Sequence, residues 1–243
     1  DAGTYRAFAT NSAGLAISQE ATLQVAAAPV NDPGHTDGDL NGDGRADILA
    51  ENTGTWERSI GLMGATGLVG TISLGSVTPD WRLAARGDFN GDGQPDIVWE
   101  NVVTGVRGLW LMHGTAFASW INLGYVTTDW RIAGAGDFDG DGQADILWEN
   151  TGTGVRGVWR MHHTAFAGWA VLDVVTPDWR IAGTGDFNGD GHADILWENT
   201  RLGVCGLWLM NGLQFAGWIR LSDLDQGWRI ADTGDFNGDG HPD

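Results

Sequence analysis

The sequence predicts an all-β fold made of tandem units, a β-propeller. Three observations predict it: an acidic phrase that returns at constant spacing, a register of tryptophans locked to that spacing, and four short strand-like runs per unit with no sustained helical period.

The phrase "GDFNGDGQPDIVWEN", Gly87 to Asn101, returns as "GDFDGDGQADILWEN" from Gly136 and "GDFNGDGHADILWEN" from Gly185. A looser copy, "GDLNGDGRADILAEN", starts at Gly38, and "GDFNGDGHPD" closes the chain. The first Asp of each copy is Asp39, Asp88, Asp137, Asp186 and Asp235, and every gap is 49 residues. Constant spacing over four periods marks one structural unit copied in tandem.

The tryptophans keep the same register. Trp99, Trp148 and Trp197 align with Ala50; Trp110, Trp159 and Trp208 with Gly61; Trp120, Trp169 and Trp218 with Thr71. Trp81, Trp130, Trp179 and Trp228 are each followed by Arg, so 13 of the 14 Trp fall in register and only Trp56 does not. Large flat side chains at fixed positions suit packing between twisted sheets. A sugar-stacking surface is the alternative, best suited by Trp120, Trp169 and Trp218 on the outermost strand.

Within a unit, "WRIAGTGDF", "ADILWEN", "GVRGVWRM" and "FAGWAVLDVV" read as strands. They are rich in β-branched and aromatic residues and are separated by Gly, Asp, Asn, Thr and Pro. Four strands in a unit of this length match a propeller blade.

Charge narrows the partners. The 243 residues carry a formal charge of −19, with 32 acidic residues against 13 basic ones. Such a surface repels nucleic acid and anionic membranes. Half of the acidic residues, 16 Asp, lie in the repeated phrases. Carboxylates crowded in this way repel one another unless a cation sits among them. The single cysteine, Cys205, excludes an internal disulfide framework. No run of 18 apolar residues occurs, so no membrane-spanning helix is expected. There is no signal peptide and no initiating Met, and the chain starts and stops inside recognisable patterns, so it reads as a fragment of a longer protein.

The acidic phrase has the layout of a metal loop. In the second copy Asp88, Asn90 and Asp92 stand at positions one, three and five, Gly93 at six, Gln94 at seven and Asp96 at nine. Oxygen ligands at alternate positions converge when the chain curls tightly, and the glycine permits the turn. Position seven would offer its backbone carbonyl. The equivalent sets are Asp39, Asn41, Asp43, Arg45 and Asp47; Asp137, Asp139, Asp141, Gln143 and Asp145; Asp186, Asn188, Asp190, His192 and Asp194; and Asp235, Asn237, Asp239, His241 and Asp243. Hard oxygen ligands without a ligating Cys or His ring favour Ca²⁺. The loop is not an EF-hand, since position twelve holds Ala50, Trp99, Trp148 or Trp197 and the chain leaves into a strand. An Asx-rich turn that binds no ion is the competing reading. The fifth set ends at Asp243, so a weak or frayed site is expected there.

These phrases resemble the FG-GAP/VCBS-type repeats of integrin α-subunit-like β-propellers, over Asp37 to Asp243. The resemblance implies a loop that joins two neighbouring strands of a blade and binds Ca²⁺, about one per repeat. It places the ligand role on the Asp and Asn positions named above. Propellers of that family commonly have seven blades, so a partial propeller of about four to five blades is expected here.

Residues 1–25, "DAGTYRAFATNSAGLAISQEATLQV", look like the last two strands of an immunoglobulin-like domain, a β-hairpin remnant. Asp1, Gly3 and Tyr5 match its D-x-G-x-Y corner, and Ala7 stands where its Cys is expected. Residues 26–36 read as a linker and 37–243 as the propeller repeats.

A catalytic site should appear as a departure from the repeat. Cys205 replaces the arginine of Arg58, Arg107 and Arg156, and no partner for a nucleophile can be read around it. His162 and His163 are adjacent, but His113 shares the register of His162. No hydrolase, metalloprotease or phosphate-loop motif occurs. The sequence therefore predicts a non-catalytic, Ca²⁺-stabilised propeller of a secreted or cell-surface protein, serving adhesion or the binding of a protein or glycan ligand. The alternatives are a carbohydrate-binding propeller, or an ancillary domain of a secreted hydrolase or lyase whose chemistry lies elsewhere.

Overall fold

The computed structural model describes residues 38–225 and 228–243 in full and, before them, the backbone of four short strands. The chain divides into two compact units, Asp1–Asn31 and Asp32–Asp243. In the first, β1 (Gly3–Tyr5) pairs with β4 (Ala21–Leu23), and β2 (Phe8–Asn11) pairs with β3 (Gly14–Ile17), both antiparallel. The second pair is nested inside the first, as a long hairpin requires. The corner side chains Asp1, Tyr5 and Ala7, and the linker, lie outside the described residues.

The second unit is a four-blade β-propeller of antiparallel sheets, with no helix among the described residues. The first blade contributes β5 (Ile48–Glu51), β6 (Glu57–Gly64) and β7 (Gly67–Ser76). The second is β8 (Trp81–Gly87), β9 (Asp96–Asn101), β10 (Val106–His113) and β11 (Ala116–Tyr125). The third is β12 (Trp130–Gly136), β13 (Asp145–Asn150), β14 (Val155–His162) and β15 (Ala165–Val174). The fourth is β16 (Trp179–Gly185), β17 (Asp194–Asn199), β18 (Cys205–Asn211) and β19 (Gln214–Arg220). Each sheet is a meander in chain order, because short turns join neighbours. The four runs read from sequence correspond to these strands within a residue or two. Among the described residues, no helix is long and apolar enough to cross a membrane.

The apolar core lies between blades. Phe89, Val98 and Leu109 of the second blade pack against Ile132, Ile146, Trp148 and Met161 of the third. Phe138, Leu147 and Val158 of the third meet Ile181, Ile195, Trp197 and Met210 of the fourth in the same way. Trp148 and Trp197 are buried in these seams, and Trp99 in the equivalent one with Leu40 and Ile60, as the packing reading of their register requires. An arginine from the preceding blade lies over each ring. Arg58 stands 5.9 Å from the centroid of Trp99, Arg107 5.4 Å from Trp148 and Arg156 5.6 Å from Trp197. This geometry adds a cation–π attraction to the apolar burial.

The outer tryptophans have a different role. Trp120, Trp169 and Trp218 lie flat across their own blades and meet Trp81, Trp130 and Trp179 edge to face, with centroids 5.5, 5.3 and 5.6 Å apart. A glycine on the adjacent strand makes room for each. A Cβ on Gly108, Gly157 or Gly206 would stand 2.2, 2.4 or 2.3 Å from the indole, closer than side-chain atoms can approach. In the first blade both partners change together, to Ser59 and Thr71.

Neighbouring acidic loops are stitched by backbone hydrogen bonds. Ala144 N donates to Asp88 O at 2.7 Å, and Ala193 N to Asp137 O at 2.7 Å. Pro95 and Pro242 hold the equivalent donor position at two other seams and have no N–H to give. The remaining bond of this kind runs from Ala46 N to Asp235 O at 3.2 Å. The fifth loop therefore sits beside the first loop as its ring neighbour.

Candidate metal-binding loops

In the second loop Asp88 organises the backbone. Its Oδ1 accepts from Gly91 N at 2.7 Å and Asp92 N at 3.2 Å, and its Oδ2 accepts from Gly93 N at 2.7 Å. Asn90 N donates to Oδ1 as well, at 3.2 Å, and these N–H groups converge on one carboxylate because Gly91 and Gly93 adopt left-handed φ of 77° and 81°. The sequence predicted this freedom at position six; the structure requires it at position four as well. Asp39, Asp137, Asp186 and Asp235 accept from the equivalent glycines in the same way.

At position three, Asn90 Oδ1 accepts from Asp92 N at 2.8 Å, and its Nδ2 donates to Asp92 Oδ2 at 3.0 Å. Asn41, Asn188 and Asn237 repeat both contacts. Position-five carboxylates in turn accept from the residue at seven, as Asp92 does from Gln94 N at 2.9 Å. At position seven, the Gln94 and Gln143 side chains accept hydrogen bonds from Gly114 N and His163 N of the next hairpin turn. His192 instead packs beside Gly140 of the preceding loop, and His241 beside Gly189.

Position nine does something the spacing does not reveal. Asp96 is buried, and its two oxygens accept from Phe89 N at 3.1 Å and Met112 N at 2.9 Å. One bond closes the loop; the other ties it to strand β10. Asp47, Asp145 and Asp194 make the same pair of bonds, to Leu40 and Met63, Phe138 and Met161, and Phe187 and Met210. Asp243 takes only loop donors among the described residues, Phe236 N at 3.2 Å and Asn237 N at 3.1 Å.

Burial pushes the position-nine carboxyls upward, against their N–H donors and with help from neighbouring loop carboxylates. Asp145 is raised to about 7, and Asp96 and Asp194 to about 6. Asp47, Asp137 and Asp243 are raised for the same first cause. The third loop, the copy with Asp in place of Asn at position three, brings carboxylate oxygens of Asp137, Asp139 and Asp145 within 4.8 Å of one another. Asp139 Oδ1 is buried there without a hydrogen-bond partner. An oxygen-only donor set, mutual repulsion and an unfilled acceptor fit a hard divalent cation. A bound ion would have to share the first Asp with the N–H groups that already hold it.

Cys205 is buried, and burial raises its thiol. His162 Nδ1 lies 3.5 Å from Asp141 Oδ2, and its ring 4.7 Å from that of His163. The recurring Glu and Arg side chains pair with one another: Glu149 bridges Arg131 at 3.1 Å and Arg156 at 3.2 Å.

Residues 38–99 and 186–243 match the FG-GAP-like repeat family. No curated protein matches the chain. Among solved structures, the chain is similar to the Tc holotoxin pore of Photorhabdus luminescens at 18% identity and a TM-score of 0.48, covering 99% of this chain and 12% of that one. It is also similar to the hydrazine synthase of Kuenenia stuttgartiensis at 10% identity and a TM-score of 0.43, covering 82% of this chain and 52% of that one. The chain thus spans only part of these neighbours, and likenesses this distant carry no argument about activity.

Proposed function

We propose that this chain, which carries FG-GAP-like repeats folded as a β-propeller, is a calcium-stabilised, non-catalytic ligand-binding module of a secreted or cell-surface protein. The observation that carries the reading is the third loop, where three carboxylates converge around an acceptor with no partner. Asp39, Asp88, Asp137, Asp186 and Asp235, with the residues at positions three, five, seven and nine, would hold about one Ca²⁺ per loop. The ion would neutralise the loop and lock the hairpin; the ligand, a protein or a glycan, would meet the propeller surface.

Melting curves against pH, in EGTA and in calcium, test this. In EGTA, Asp96, Asp145 and Asp194 have folded-state values above the ordinary 3.8. The folded chain then binds more protons than the unfolded one, so their contribution is fully present below about pH 4 and lost as pH rises through 6 to 7. Metal-free Tm should therefore rise as pH falls from about 8 to 5. Calcium binds the ionised form, so it should raise Tm most at the alkaline end, by about 5 °C or more at saturating metal. Superimposable melts in EGTA and calcium at pH 8 would refute the metal reading.

A second reading, carbohydrate binding, is favoured by one feature: Phe117, Phe166 and Phe215 on the outer strands are 52%, 55% and 57% exposed, each edge-on to a tryptophan of the next strand inward. Trp120, Trp169 and Trp218 are less available, since they lie across the blade. Glycan-array binding that disappears in Phe166→Ala would support this reading, and a blank array would remove it.

A further inference from the structure

The ring of inner strands encloses a cavity of about 510 Å³, lined by β8, β12, β16, residues 231–233 and β5. The inner strands run in one direction, from Trp81, Trp130 and Trp179 to the acidic loops, so equivalent residues form layers across the cavity. Asp88 and Asp137 stand at the loop end; Arg82, Arg131 and Arg180 stand at the other. Six residues of strand separate the two layers, roughly 20 Å.

The arginines are held in place. Arg82 pairs with Glu100, Arg131 with Glu149 at 3.1 Å and Arg180 with Glu198 at 2.5 Å. Nη2 of Arg82 also donates to Ile132 O at 2.8 Å, and Nη2 of Arg180 to Ile230 O at 3.0 Å, so these guanidinium groups reach the inner strand of the next blade. The side chains remain 39%, 40% and 27% exposed. Their Nη1 groups make no hydrogen bond among the described residues, and Nε of Arg131 and of Arg180 is buried without a partner there.

Charge does not balance at this layer. Glu100 is shared with buried Arg107 at 2.6 Å, and Glu149 with buried Arg156 at 3.2 Å. Two guanidinium groups thus face one carboxylate in each of these blades. In the fourth blade Cys205 takes the place of the second arginine, and in the first Glu51 meets only Arg58 among the described residues, so those two balance. The second arginine of each pair, Arg107 or Arg156, is buried behind the cavity wall. The lining itself carries Arg82, Arg86, Arg131 and Arg180 against Glu51, Asp88, Asp137 and Asp232, and at the arginine layer Glu51 is the one lining carboxylate among the described residues.

We propose that this arginine layer binds a small molecule carrying oxyanion groups, carboxylate or phosphate, at the channel mouth away from the acidic loops. Planar, pre-positioned guanidinium groups whose Nη1 donors have no partner among the described residues match such anions, and the cavity volume suits a small ligand. The proposal goes beyond the calcium reading and does not depend on it.

Calorimetric titration of the full chain with inorganic phosphate and with succinate, in low-salt buffer without chelator, tests it. Binding of phosphate alone assigns a phosphate-bearing ligand, binding of succinate alone a carboxylate, and binding of both an unselective oxyanion site. Arg131→Gln should weaken binding about fivefold or more, because one contacting charge is removed. Arg131→Lys, which keeps the charge and guards against loss of folding, should bind between the two. Arg160→Gln changes net charge equally but lies on β14 beside Gly168, outside the cavity lining, and should leave affinity unchanged. No binding of either anion by the wild-type chain, or equal losses in Arg131→Gln and Arg160→Gln, would overturn the proposal.

Discussion

Asp145→Ala is expected to destabilise the propeller by about 2–5 kcal/mol in the absence of metal, since it strands two buried N–H donors. Those donors, Phe138 N and Met161 N, lie 3.2 and 2.7 Å from its oxygens. Asp139→Ala should behave differently, although Asp139 belongs to the same cluster. Its Oδ1 is buried without a partner, so removing the carboxylate also removes a repulsion. In EGTA that variant should be as stable as wild type or slightly more so, while in calcium it should lose part of the metal-dependent rise. Urea denaturation of both variants, with and without calcium, separates the backbone clip from the ligand. Equal losses for both in EGTA would mean that position nine is no special fastener.

Gly157→Ala should cost about 1–3 kcal/mol, the range for overpacking. The added Cβ would lie 2.4 Å from Trp169 and 2.6 Å from the backbone oxygen of Ala170. The indole can move; the strand backbone moves far less readily. The pair Gly157→Ser with Trp169→Thr copies what the first blade carries at Ser59 and Thr71. If the two positions are coupled through one contact, the double variant should be more stable than the sum of the single losses predicts, by about 1 kcal/mol or more. Additive losses in a complete double-mutant cycle, read by urea midpoints, would show that the glycine answers to something else.

Both expectations rest on contacts that a linear reading does not deliver. The loop positions of Asp145 and its equivalents are plain from spacing, and so is their carboxylate chemistry. That both oxygens are engaged by N–H groups, one on the following strand, is not. Loop residue and strand donor are 16 positions apart, and only the hairpin register brings them together. The glycine–tryptophan pairing did leave a trace: the two positions change together in the first repeat. The trace becomes a contact only when the outer indole is seen lying across the neighbouring strand. Of the outer aromatics, spacing singles out Trp120, Trp169 and Trp218 for a ligand, whereas the more exposed row is Phe117, Phe166 and Phe215. Inward or outward orientation there depends on bulges, such as the register shift between Arg160 and Met161, that the alternation of residues does not show.

By itself the sequence determined the repeat, its four strands, the turn chemistry of the acidic loops and the seam tryptophans. These follow from residues close together in the chain, where backbone freedom, side-chain alternation and turn preference act. The tertiary structure alone decided which loop neighbours which across the ring, how two arginines share one glutamate, and where an indole displaces a Cβ. Those outcomes depend on the mutual placement of blades, in which a contact such as Ala46 with Asp235 joins residues at opposite ends of the propeller. Local preference cannot specify such a pairing, because its free energy comes from surfaces that meet only after every blade between them has folded.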